Sequence, residues 1–358
     1  MKEYSFPSLG GLRLSVFGES HAPFVGARLE GIPAGTPLDM DLVSRMMEMR
    51  SSRDKPGATK RQEADEIEFA GGISGGRCDG SPVEIRIRNG DARPRDYDRI
   101  SHVPRPGHAD LAAWMKYGSI PSGGGAFSGR MTAPLTAAGG VVLSYLHTLG
   151  IKEYAHLFSV GEVFDIPYDP MAPIDNSDCG MPVISPKSGK LMRMEIESAQ
   201  RAGDSVGGTV ECAFTGVPSG LGGPLFEGAE GRLSLALYAV PAVKCVEFGS
   251  GFAASRLRGS VNNDQYAVSG GKVTFLSNNC GGILGGITTG TPLIMRAAVK
   301  PTPSISLPQR SVDLDSMEDT TLEVGGRHDT CVALRALPAV LSAASLALCD
   351  MILSREDK

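Results

Sequence analysis

Two helical stretches in this chain are too apolar to lie on a surface, and they decide what it can fold into. Residues 131–151 contain no Asp, Glu, Lys or Arg, and within Leu334–Leu353 only Arg335 and Asp350 are charged. Residues 131–151 are long enough for a bilayer span. They also carry Pro134, Gly139, Gly140, Ser144 and His147, which reads as a buried core helix with His147 in the core. A helix that is apolar all round must be covered on several sides. Strand-like runs that can cover it occur at Leu12–Phe17, Gly26–Ile32, Glu66–Ala70, Val83–Ile87, Gly208–Gly216 and Val243–Phe248. Further helices are predicted at Leu42–Met49 (capped by Asp39 or Asp41), Ala109–Tyr117, Glu195–Ala202 and Glu230–Tyr238. The predicted class is α+β, with helices packed between antiparallel sheets. Strand pairs with apolar helices recur in both halves, and Gly-rich turns at 71–76 and 203–208 each precede a strand. This suggests a single domain over 1–358 built of two pseudo-duplicated halves, their boundary near 150–200. Residues 165–190 read as a polar, exposed insertion.

Charge narrows the function. The chain has a formal net charge of -5, which argues against a general nucleic-acid surface. Yet 24 of its 35 basic residues are Arg, and 12 of these lie between Arg28 and Arg105. Arg is the side chain for bidentate capture of phosphate and carboxylate, so a small multi-anion is the expected ligand. The seven Cys are scattered and form no C-x-x-C pair, which leaves no zinc motif and reads as reduced thiols in a cytoplasmic protein. The start has no apolar secretory segment, and neither a membrane nor a metal is expected.

Three histidines stand where they can move protons. His21 ends Gly18-Glu19-Ser20-His21 beyond a strand, His108 sits in Arg105-Pro-Gly-His-Ala-Asp110, and His328 follows Gly325-Gly326-Arg327. Taken singly, each is more often a capping or core histidine; His102 and His156 carry no signal. The loop Ser122–Arg130 is a Gly-rich helix start suited to phosphate, although it is not a Walker A loop. Gly281–Gly286, with glycine pairs around Ile-Leu, allows main chain to approach something flat. Lys300-Pro301-Thr302-Pro303-Ser304 offers one cation and two hydroxyls in a rigid segment. No Rossmann fingerprint is present. From the residues alone this is an enzyme of acidic metabolites with a phosphate-bearing or planar cofactor, its reaction unnamed.

Together, these segments resemble the chorismate synthase family. The matching motifs are Phe17-Gly-Glu-Ser-His21, Arg105-Pro-Gly-His-Ala-Asp110, Ser128-Gly-Arg130, Asp204-Ser-Val-Gly-Gly208, Gly281-Gly-Ile-Leu-Gly-Gly286, Lys300-Pro-Thr302 and Gly326-Arg-His-Asp329, in family order. The resemblance implies a β-α-β sandwich in a homotetramer. It also implies conversion of 5-enolpyruvylshikimate 3-phosphate to chorismate and phosphate, a 1,4-anti elimination that requires reduced FMN without net redox change. The reduced flavin would come from a separate flavin reductase or from intrinsic use of NADPH. By the same resemblance, His21, His108 and Asp329 are the catalytic groups, and Ser20, Arg53, Lys60, Arg61, Arg105, Arg130 and Arg327 hold the substrate. The FMN wall is Ala126, Phe127, Ser128, Pro241, Ala242, Gly285, Lys300, Pro301, Thr302, Pro303, Ser304 and Arg327. The chain departs from the pattern at Ala126-Phe127-Ser128 (commonly Arg-Ser-Ser), at Pro241 (commonly Asn) and at Arg53-Asp54-Lys55 (commonly three Arg). The rival readings are a flavoenzyme of another class, an NAD(P)H-dependent reductase of an acidic substrate, and a non-catalytic phosphate- or RNA-binding protein.

Overall fold

The chain begins with an antiparallel sheet made from β1 (Glu3–Ser5), β2 (Arg13–Gly18), β3 (Phe24–Glu30) and β4 (Ile67–Gly71). Its fifth strand is β7 (Val83–Arg88), which follows the two-residue hairpin β5 (Ile73–Ser74) and β6 (Arg77–Cys78). The spatial order is β1-β2-β3-β7-β4. Helix α1 (Met40–Arg50) intervenes after β3, and α2 (Asp110–Tyr117) and α3 (Thr132–Thr148) follow β7. The second half contributes β8 (Lys152–Val160), β9 (Val163–Phe164), α4 (Pro186–Arg201), β10 (Gly208–Thr215), α5 (Ala229–Tyr238) and β11 (Val243–Phe248). Beyond them lie α6 (Gly259–Asn262), the hairpins β12 (Tyr266–Ser269) with β13 (Lys272–Phe275) and β14 (Ile283–Leu284) with β15 (Ile287–Thr288), and then β16 (Leu293–Val299). The hairpin β17 (Gln309–Asp313) with β18 (Glu318–Leu322) precedes α7 (Ala333–Glu356). The second sheet runs β11-β16-β10-β8-β9, again antiparallel. This computed structural model describes residues 3–20, 22–53, 55–58, 65–90, 101–170, 180–325 and 328–356.

The helices fill the space between the sheets, as the sequence predicts. Helix α3 lies on β3 and β7, α7 lies on β8, β10 and β16, and α1 and α5 pack beside them. Burial on β7 alternates, with Val83, Ile85 and Ile87 facing the helices. The α3–α7 crossing is close because Gly139 has no side chain: a Cβ there would stand 2.1 Å from Ser342 Oγ. Gly140 likewise meets α1, where a Cβ would lie 3.0 Å from Val43 Cα. Two glycines in a helix interior cost about 1 kcal/mol each relative to Ala. Here they let three helix backbones approach. Helix α7 is apolar and long enough to cross a membrane, but it is wholly buried within the protein. Asp39 caps α1 by accepting the Leu42 N–H at 2.9 Å.

Two expectations are corrected. His147 is on the solvent side of the α3 C-terminus, 2.5 Å from Glu153, because the last turn of α3 leaves the core. The 165–190 segment is only partly exposed: Ile166, Pro167 and Asp169 face solvent, but Asp165, Met181 and Ile184 are buried, and residues 171–179 lie outside the described residues. That segment covers the outer face of the second sheet, where a cross-strand row of charge explains its placement. His156 on β8, Glu211 on β10, Arg296 on β16 and Glu247 on β11 are successive register partners. His156 Nδ1 faces Asp165 Oδ2 at 3.1 Å and its Nε2 faces Glu211 Oε1 at 2.9 Å. Glu211 also accepts Arg296 Nε at 2.6 Å and the Tyr168 N–H at 2.6 Å. Asp165 takes the N–H groups of Ile184 and Ser185 at 2.6 and 3.0 Å. The row thus ties both ends of the segment to the sheet, although polar composition gave no hint of it.

Candidate active site

The motif Arg105–Asp110 folds into a turn that brings its own charges together. Gly107 adopts φ 75°, the His108 N–H donates to Arg105 O at 3.2 Å, and α2 starts at Asp110. The Asp110 carboxylate receives Arg105 Nε at 2.7 Å, Arg105 Nη2 at 2.9 Å and the Arg105 main-chain N–H at 3.1 Å. It also receives His108 Nδ1 at 2.5 Å. Burial works to raise the Asp110 pKa, but the hydrogen bonds from Arg105 and His108 hold it far below the usual carboxylate range. A carboxylate only accepts, so His108 Nδ1 is the donor to Asp110, which fixes the imidazole with its Nε2 3.4 Å from Arg105 Nη2.

The segment 300–304 docks on this turn. Arg105 Nη1 donates to Ser304 Oγ at 3.2 Å, and Lys300 Nζ donates to the Gly107 carbonyl. A Cβ on Gly107 would lie 3.6 Å from Pro303. The Lys300 N–H donates to Ala242 O at 2.9 Å, which places the Pro241–Ala242 pair alongside, with Ala242 in the left-handed region at φ 73°. Burial, then the nearby Lys244 charge, lowers the Lys300 pKa. From the other side comes the loop 121–130. Gly123, Gly124 and Gly125 all have positive φ, and a Cβ on Gly124 would come within 3.4 Å of the His108 ring. Ala126, Phe127 and Ser128 follow directly, and Ser128 Oγ caps the short helix bearing Arg130.

Arg130 and Arg105 are 4% and 6% exposed, and protein acceptors engage both guanidinium groups. Arg130 donates to Asn89 Oδ1 at 2.7 Å, to Arg88 O at 2.8 Å and to Asp65. Asn89 in turn holds the carbonyls of Glu19 and Ala22 at 3.1 and 2.6 Å, fixing the loop that carries buried Ser20. His21, Lys60, Arg61 and Arg327 lie outside the described residues. Arg53 is exposed on the loop after α1.

Three cations with no part in the sequence-based site, or only a marginal one, stand near these groups. Arg50 is buried, donating to Thr132 Oγ1 at 3.1 Å, to Gly129 O at 3.2 Å and to Asp65. Arg335 contacts Asp329 at 2.8 Å, and Lys55 Nζ donates to Met49 O. Burial first, then the charges of Arg335 and Arg50, push the Lys55 pKa down to about 8, against the pull of Asp329. With Arg130, Arg50, Arg335 and Lys55 set against Asp65 and Asp329, the described groups leave positive charge in excess, as an anionic ligand requires. His328 joins the two clusters: burial and then the Arg105 charge lower its pKa, with His108 adding to the effect and Asp329 opposing it.

Gly285 stands apart. Its turn between β14 and β15 is anchored on residues 221–229, and among the described residues none of its hydrogen bonds reaches 105–110 or 300–304. The groups that sequence reasoning missed are Asp110, Asp65, Arg50 and Arg335. Asp110 was readable in principle: a carboxylate five residues after an Arg, opening a helix, can fold back on it. The others meet only through tertiary packing.

Comparison with known proteins places the chain among relatives along nearly its whole length. The chorismate synthase family model matches residues 12–353. The chorismate synthase of Lancefieldella parvula is 42% identical over 364 residues, covering 96% of this chain and 95% of that protein. That of Thermococcus kodakarensis is 44% identical over 349 residues and covers 96% of each chain. A crystal structure of chorismate synthase superimposes with a TM-score of 0.74 at 27% identity, covering 97% of this chain and 93% of that one. On its fold, its motifs and these relatives, the chain belongs to the chorismate synthase family.

Proposed function

We propose that this chain, a lyase of the shikimate pathway, eliminates phosphate from 5-enolpyruvylshikimate 3-phosphate to give chorismate, with reduced FMN bound between the 121–128 loop and the 300–304 segment. The observation that carries this reading is the docking of Lys300–Ser304 on the Arg105–Asp110 turn, which sets a cation, two hydroxyls and a fixed imidazole on one wall. A flavin phosphate fits that wall. Thr302 Oγ1 is buried without a partner among the described residues, and the three left-handed glycines expose main chain beside His108. When bound, reduced FMN lends electron density to a reaction with no net redox change.

The chain's own groups divide the remaining work. Arg105, Arg130 and the basic loop carrying Arg53, Lys60 and Arg61 match the substrate's two carboxylates and phosphate in charge. His21, on the loop held by Asn89, protonates the departing phosphate oxygen as general acid. His108 presents Nε2 toward the cofactor, its Nδ1 held by Asp110. Asp329 is the carboxylate that receives the proton lost from the ring. We further read the chain as cytoplasmic and as a homotetramer, with NADPH entering only as a reductant of the flavin. The tetramer reading draws on large apolar side chains exposed between residues 225 and 276, among them Leu225 at 89% and Phe226 at 98%.

Phosphate release, followed anaerobically with chemically reduced FMN and no nicotinamide, tests the reaction. Release that requires the reduced cofactor is expected, and release at the same rate without it would overturn the reading. For the assembly, Phe226→Asp is expected to lower the mass measured by light scattering; an unchanged tetramer removes Phe226 from any interface.

A further inference from the structure

The first turn of α7 is an unfavourable place for a cation, because the helix dipole is positive there. Arg335 nevertheless occupies it, and two contacts account for this. Its Nη1 donates to Asp329 Oδ2 at 2.8 Å, and its Nε donates to Arg50 O at 3.0 Å. Arg50 is the last residue of α1, so its carbonyl is one that the helix itself leaves without a partner. The neighbouring carbonyl of Met49 accepts from Lys55 Nζ. Two cations therefore close the C-terminal end of α1, where the dipole favours them. The chain on either side is pinned as well: the Thr330 N–H donates to Gly57 O at 2.8 Å, and the Val206 N–H donates to Thr330 O at 2.9 Å. Asp329 thus sits between a main-chain anchor at residue 330 and a side-chain anchor at Arg335.

We propose that Arg335 is a positioning residue for Asp329, fixing that carboxylate to the C-terminal end of α1 and so to the basic loop that α1 leads into. The inference rests on the reading of Asp329 as a catalytic group. A planar guanidinium held at two points fixes direction as well as distance, which an ammonium on a flexible stem does not. Lys55 is consistent with this wiring, since both Arg335 and Asp329 act on its charge. Arg335 touches neither substrate nor cofactor in this account. Its effect belongs in kcat, through the placement of Asp329, and not in KM.

The test compares Arg335→Gln, Arg335→Lys, Asp329→Asn and the double variant Arg335→Gln/Asp329→Asn, all assayed by phosphate release with reduced FMN. Arg335→Gln is expected to lower kcat about 100-fold, with KM changed by less than about threefold. Guanidinium ion at non-denaturing concentration is expected to restore part of that rate, and ethylammonium is not. Arg335→Lys keeps the charge without the two-point hold and falls between parent and Arg335→Gln. It also serves as the folded reference if Arg335→Gln proves insoluble. Because Arg335 acts through Asp329, the double variant should be no more than about threefold slower than Asp329→Asn. Parental kcat in Asp329→Asn would overturn the catalytic reading and this inference with it. A clear loss in Asp329→Asn alongside near-parental kcat in Arg335→Gln would overturn the inference alone, as would losses that multiply in the double variant.

Discussion

Phosphate release by His108→Ala is expected to fall by about 10²- to 10⁴-fold, the range associated with losing one positioned proton-transfer group. His108 is held from both sides. Asp110 takes its Nδ1 at 2.5 Å, and the glycine loop passes over the ring closely enough that a side chain at Gly124 would touch it. The ring lies at a pocket wall and not in the helical core, so the variant should fold and melt within a few degrees of the parent. Asp110→Asn makes the complementary case. It keeps the shape but removes the charge that neutralises a buried Arg105, and breaking such a pair typically costs about 3–5 kcal/mol. It should therefore lose stability and activity together, whereas His108→Ala loses activity alone. Stopped-flow phosphate release with parallel thermal melts separates the two patterns. A His108→Ala rate within threefold of the parent would remove that residue from the chemistry.

Glu211→Gln is expected to destabilise the protein by about 3–5 kcal/mol, although it lies outside the active site. Glu211 sits between His156 and Arg296, and replacing its charge leaves buried His156 with Asp165 alone and half-buried Arg296 with Glu247 alone. The pH dependence has a definite sign. Burial opposes the charged form of His156, but Asp165 and Glu211 outweigh it and raise its pKa. Its contribution to stability is therefore complete below the unfolded histidine value of about 6.5 and is lost as pH rises through the higher folded value. For Asp165 and Glu211 burial pushes upward, but the His156 hydrogen bonds and the other donors prevail and lower both pKa values. Their contribution is present above the unfolded carboxylate values of about 4 and is lost as pH falls through the folded ones. The row is thus strongest between the two limits. Melting temperatures measured from pH 5 to 9 should fall on the alkaline side more steeply in the parent than in Glu211→Gln. Parallel curves with equal midpoints would show that the charge row does not hold the segment.

That segment also marks where reading the sequence was right only in part. Residues 165–190 are polar and rich in turn formers, so they read as exposed. Yet Asp165 and Ile184 are buried, because a histidine, two carboxylates and an arginine on different strands satisfy one another only once the register is set. His156 carried no signal for the same reason. Arg50 and Asp65 lie 15 residues apart with a loop between them, and Arg335 is nearly 300 residues from Arg50, so no spacing rule joins them.

The sequence by itself determined the layers, since two helices without a polar face require cover on both sides, and alternating strands supply it. It also determined which motifs matter, because the Arg105–Asp110 turn is closed by contacts no more than five residues apart. Only the tertiary structure decided which charges neutralise one another. Ion pairing depends on distance and burial, and in this protein both are set by helix crossings at Gly139 and Gly140 and by strand register, neither of which a linear pattern of residue types encodes.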